Sequence, residues 1–244
     1  MPEITKEEFE IYGEISRLGA DLWELSKKVV GLNTDPKMFS IMLFKRLWSN
    51  HRGYTLLYNN ALHLEADIVL RSGLEAAICI AANFHLRDEF IMLMRRDAAY
   101  TLQGQIKMNR ESADIDLVRE AEANLRMLQA EMPQGVKAAR LDWHSLSQQG
   151  QVPQLYGFHR MLSGVSSHVT GMSILTAATD ADGSGEALQK EYRSLTRKFH
   201  LMMMAGATLQ ASMLHAEMID EDEYVLKAKK IVDRMNMISV DWPK

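Results

Sequence analysis

Four ionisable residues recur at intervals of four in the apolar stretch 62–83, LHLEADIVLRSGLEAAICIAAN: His63, Asp67, Arg71 and Glu75. On a helix turning by about 100° per residue they form one slowly rotating stripe. A guanidinium in such a stripe can hold a phosphate or carboxylate through forked hydrogen bonds. A carboxylate one turn away can orient it or simply pair with it to keep helices in register. Leu64, Leu74 and Ile78 share that side, and the remaining apolar positions point nearly all round. This pattern predicts a central helix surrounded by others.

The second stretch with chemical potential is 155–175, LYGFHRMLSGVSSHVTGMSIL. On a helical wheel Leu155, Phe158, Met161, Leu162, Val165, Val169 and Met172 fill one arc. Tyr156, Arg160, Ser163 and Ser167 fill another, with His168 at the border beside Gly157 and Gly164. A histidine titrates near neutrality and can act as base or acid. His168 is the candidate for that role, Arg71 or Arg160 for holding phosphate, Glu75 for orienting Arg71, and Tyr156 and Ser163 for further hydrogen bonds. His63 and Asp67 are candidate binding residues, or only the stripe's continuation towards the surface. The bland alternative for 155–175 is an amphipathic helix with helix-contact glycines.

These stretches need a scaffold, and the sequence predicts an all-α one. The chain has 244 residues, five prolines and fourteen glycines. No segment alternates apolar and polar as a strand ladder does. Seventeen methionines fit the gaps between helices. Thr5 and Glu8 have capping-box spacing and start a first helix that Gly31 stops. Asp35 and Pro36 start a second, which ends near Gly53 or continues to 59. The central helix runs to about 86. Asp88 caps a fourth helix over 89–109. A fifth starts at Ser112 or Asp114 and ends before Pro133. A short helical piece spans 136–146, and further helices span 153–175, 186–219 and the segment after the acidic cluster 220–223. The expected architecture is a single bundle of seven to nine helices in one domain, 1–244. Phe9, Tyr100, Leu117 and Leu226 are placed on inward faces.

Several chemistries are absent from the sequence. No Glu-x-x-His occurs, so the di-iron helical pattern is missing. The eight histidines are scattered without metal-ligand spacing. There is no Walker A loop, no G-x-G-x-x-G and no G-x-S-x-G. The loop 179–185 lacks the twelve-residue acidic pattern of a calcium site. No metal and no cofactor are expected. Cys79 reads as a buried small hydrophobe, and one cysteine allows no intrachain disulfide. The net charge of -4 argues against a general binder of nucleic acid or anionic membranes. Lys190, Arg193, Arg197 and His200 share one helix face and read as a solvated one. No apolar run has the ~20 residues of a membrane span, and no secretory signal is evident, so the expectation is a soluble cytoplasmic protein. The apolar segment 201–214 is able to pack across a two-fold axis, which makes a second copy a candidate partner.

The pattern Arg71-Ser72-x-x-Glu75, followed by Tyr156, Leu162-Ser163 and His168-Val169-Thr170, resembles an uncharacterised bacterial all-helical family. That family carries an R-S-x-x-E segment and a later Tyr…Leu-Ser…His-x-Thr segment. The resemblance covers roughly 50–175 and implies a site without implying an activity. More distantly the chain is similar to HEPN-type bundles, many of them metal-independent ribonucleases of toxin or antiphage systems. Their motif is an arginine followed four to six residues later by histidine. Here Arg160 and His168 have seven residues between them, about 12 Å of helix rise, so Arg71 would have to supply the cation. Two functions are therefore expected. The first is a helical module that binds a protein or small ligand through its Arg/Glu/Tyr/His cluster. The second is a HEPN-like metal-independent ribonuclease acting on RNA.

Overall fold

The computed structural model describes residues 4–33, 35–112, 114–165, 174 and 187–238. Among the described residues there are nine helices and no strand: α1 (Lys6–Ser26), α2 (Pro36–Asn59), α3 (His63–Leu86), α4 (Asp88–Glu111), α5 (Ile115–Ala130), α6 (Trp143–Gln149), α7 (Pro153–Val165), α8 (Ala187–Met218) and α9 (Asp222–Ile238). The protein is an all-α multi-helix bundle, and no helix among these residues is long and apolar enough to cross a membrane.

Local chemistry starts these helices where the sequence predicts. Thr5 Oγ1 accepts from the Glu8 amide at 3.2 Å, and Glu8 Oε2 accepts from the Thr5 amide at 2.7 Å. This reciprocal box also explains why Phe9 is solvent-exposed rather than inward: Glu8 takes the inward position, buried against Lys198 at 2.8 Å. Asp35 caps α2 by accepting from the Met38 amide at 2.7 Å, and α2 runs unbroken through Gly53. The α3–α4 junction is made by Arg87, which sits at φ 54°, so Asp88 is the first helical residue and not the cap. The segment 136–142 has no regular secondary structure and is not helical. The Ala139 amide donates to Arg96 O and the Leu141 amide to Asp97 Oδ1, so its backbone partners are on α4. Helix α6 begins only at Trp143.

Helix α3 is the hub, packed by α2, α8, α7 and α6. From Ala76 to Asn83 every residue is buried. Gly73 meets the Met204 side chain closely, and Gly150, at the end of α6, lies so near the backbone of Ala81 and Ala82 that a Cβ would fall 2.9 Å from the Ala82 nitrogen. That contact seats α6 across the C-terminal half of α3. Helices α4 and α5 form a hairpin that leans on the bundle mainly through α4. With little packed on its outer faces, the hairpin leaves Tyr100 and Leu117 exposed, and Leu226 of α9 is likewise exposed.

Candidate functional site

The N-terminal half of α3 departs from all-round burial. Going round its wheel, Leu70 and Leu74 face the core, then come Arg71, Glu75, Ile68 and Ser72 in turn. Arg71 and Glu75 are about a quarter and a fifth exposed, and Ile68 is 46% exposed. This strip is the floor of a trough. One wall is α7, which runs antiparallel to α3: Glu75 meets His159, and one turn on, Arg71 meets Ser163. The other wall is α2, where Arg46 and Asn50 both donate to Ser72 Oγ, at 3.4 and 3.1 Å. The seating of α6 against α3 brings Trp143 over His159, ring centroids 5.6 Å apart, at one end.

Glu75 Oε1 is the shared acceptor of the site. Arg71 Nη2 lies at 3.1 Å and His159 Nε2 at 3.0 Å. Burial alone would raise the Glu75 carboxyl, but the His159 hydrogen bond and the Arg71 and Arg46 charges outweigh it and hold the group below the usual carboxylate range. Arg71 Nε donates to Ser163 Oγ at 2.9 Å, and Ser163 in turn donates to the His159 carbonyl at 2.7 Å. His159 is 5% exposed, with Nε2 donating to the carboxylate. Its Nδ1 is buried and meets no hydrogen-bond partner among the described residues. Arg71 therefore pairs with Glu75, and Arg46 acts on the same carboxylate only through its charge at longer range. Arg46 has no carboxylate within ion-pair distance among the described residues.

The remaining predicted residues divide. Tyr156 and Arg160 flank the trough on the outer side of α7. Tyr156 stacks at 6.2 Å on His159, its edge faces His144 at 5.1 Å, and its hydroxyl lies 3.5 Å from Arg160 Nη1. His168 lies outside the described residues, as do Ser167, Val169, Thr170 and the loop 179–185. Asp67 does not run out to the surface: it accepts from Nδ1 of buried His200 at 2.7 Å and ties α3 to α8. His200 therefore does not belong to a solvated face. His63 makes an edge contact with the Tyr58 ring at 5.3 Å. Neither His63 nor Asp67 reaches the Glu75 cluster. The residue that sequence reasoning passed over is His159, although its spacing of three from Tyr156 and four from Ser163 places it on their arc.

Two other histidines have a different setting. His51 of α2 sits between the rings of Tyr12 and Trp48, and Nε2 donates to Ser16 Oγ at 2.8 Å while Nδ1 accepts from Thr208 Oγ1 at 3.0 Å. His215 of α8 stacks on Phe44 and makes the same pair of bonds, to Ser26 and from Ser40, each at 2.8 Å. Both serines give their own proton to a carbonyl four residues back, Tyr12 O and Leu22 O, which fixes these directions. Burial lowers His51 to about 4 and His215 to about 3. Ser16 and His51 line a surface recess of about 600 Å³, yet they do not form a nucleophile and base. The serine proton is already committed, and the imidazole is too weak a base to take it.

Compared with protein-family models, with curated proteins and with solved structures, the chain matches none.

Proposed function

We propose that the protein is a helical binding module whose α3 trough receives an anionic group against Arg71 and Arg46. The observation that carries this reading is the charge imbalance of a partly covered seam, where Arg71 and Arg46 have one carboxylate, Glu75, near them among the described residues. An arginine held by Glu75 and Ser163 is pre-oriented, so little side-chain freedom is lost when it meets a ligand. Inorganic phosphate titrated into the full chain, followed by calorimetry, is expected to bind, and Arg71→Gln to abolish binding while circular dichroism stays helical. No binding at millimolar phosphate rejects the reading.

One contact favours a second reading, metal-independent cleavage of RNA. A carboxylate on Nε2 orients a buried imidazole beside a cation able to hold the scissile phosphate, and on this reading the ring must be uncovered as RNA binds. On this reading His159 takes the acid–base role expected of His168. Labelled RNA incubated in a chelator separates the two: turnover lost in His159→Ala supports cleavage, and intact RNA supports binding alone.

A further inference from the structure

The trough does not end in bare charge. Beyond His159, on the same outer side of α7 as Ser163, stand Tyr156, His144 and the exposed guanidinium of Arg160, with Trp143 above the imidazole. His144 is exposed, and Trp143 and Tyr156 are half-buried. The fold fixes this arrangement, since Asp142 caps the roughly two turns of α6 and Gly150 packs them closely onto α3. Arginines beside part-exposed aromatic rings are the combination that recognises nucleotides: rings and guanidinium planes stack on a base, while charge holds the phosphate. Neither half needs base-edge hydrogen bonds.

We propose that the anion bound in the trough is the phosphate of a nucleotide, held between Arg46 and Arg71, with its base on a platform made by the Tyr156 ring with the His144 ring at its edge. This rests on the reading of the trough as an anion site and adds the identity of the ligand. His159 lies between the two halves, with Glu75 on one side at 3.0 Å and the Tyr156 ring on the other at 6.2 Å. It therefore sits where the sugar joining phosphate to base would pass. Arg46 is a binding residue under this proposal; among the described residues its side chain makes one long hydrogen bond, to Ser72 at 3.4 Å.

The test compares inorganic phosphate, adenosine 5′-monophosphate and a 5′-phosphorylated hexaadenylate on the full chain by calorimetry. The nucleotide is expected to bind about tenfold tighter than phosphate, since stacking of the base adds to the phosphate contact. Arg46→Gln should weaken both by a similar factor. Tyr156→Ala should bring the nucleotide down to the affinity of phosphate and leave phosphate unchanged. His144→Ala, at an exposed position, reads the same step if Tyr156→Ala fails to fold. Equal affinity for phosphate and nucleotide, or a ratio unmoved by both platform variants, overturns the inference and leaves the anion site standing. Failure of either molecule to bind overturns both. Hexaadenylate binding tighter than the mononucleotide assigns the ligand to a polynucleotide, and equal binding assigns it to a free nucleotide.

Discussion

His51 and His215 sit among hydroxyls, whereas His159 and His200 sit against carboxylates; all four are 5% exposed or less. Burial is the same, so it does not decide what these rings do. A hydroxyl both donates and accepts, and two of them complete a neutral imidazole on both nitrogens. His51 and His215 thereby become three-helix clamps joining α1, α2 and α8, one for each half of that interface. A carboxylate only accepts. It fixes one nitrogen as a donor and does nothing for the other. For His159 that leaves a buried Nδ1 without a partner among the described residues. The core histidines are saturated, and the trough histidine is not.

The sharpest way to break this comparison is to remove a clamp. His215→Ala leaves a hole over Phe44 and takes the partner from Ser26 and Ser40. We expect a loss of about 3 kcal/mol or more in urea denaturation. A loss below about 1 kcal/mol would mean that the clamp is not structural.

Acid tests the same idea without mutation. Both clamp histidines have folded values below the ordinary 6.5, so the unfolded chain binds protons that the fold refuses. Stability is thus full above about pH 6.5 and falls as pH drops towards 4 for His51 and 3 for His215. Each contributes a slope of about 1.4 kcal/mol per pH unit within its window. Urea midpoints at pH 7, 5.5 and 4 measure it, and His51→Gln should remove roughly half of the slope. A flat profile would show that burial does not hold the two clamp rings neutral.

The smallest stability change, with the most informative direction, belongs to Glu75→Gln. The pair with Arg71 is partly screened, so we expect a loss of only about 1 kcal/mol. Phosphate affinity should rise several-fold, because the one carboxylate offsetting Arg46 and Arg71 is gone. If affinity falls instead, Glu75 acts by orienting Arg71, and the charge-imbalance argument fails.

How much of this was legible beforehand varies with the range of the interaction. The caps of α1, α2 and α5 lie within three residues of what they cap, and each was readable as a spacing. The Arg71–Glu75 pair is one helical turn long and was equally readable. Ser163, named beside it as a site residue, meets Arg71 at 2.9 Å; His168 lies outside the described residues, and His159 belongs to no motif that would single it out. Arg46 had no local signal at all. Its relation to Arg71 exists only because α2 and α3 fold back on one another, setting positions 46 and 72 side by side.

The sequence by itself determined the class of the molecule, most of its helix starts and the all-round burial of the second half of α3, because these follow from periodicity and from bonds a few residues long. Only the tertiary structure decided which polar groups are clamps and which form a site. That choice depends on whether a buried ring lands against a hydroxyl or a carboxylate: Ser26 with His215, Ser16 with His51, Asp67 with His200, and Glu75 with His159. Those partners lie 35 to 189 residues away in the chain. The central helix carries its stripe of charge in the sequence. Its division into a tie to α8 at Asp67 and an open trough at Arg71 and Glu75 comes from which helices pack on it.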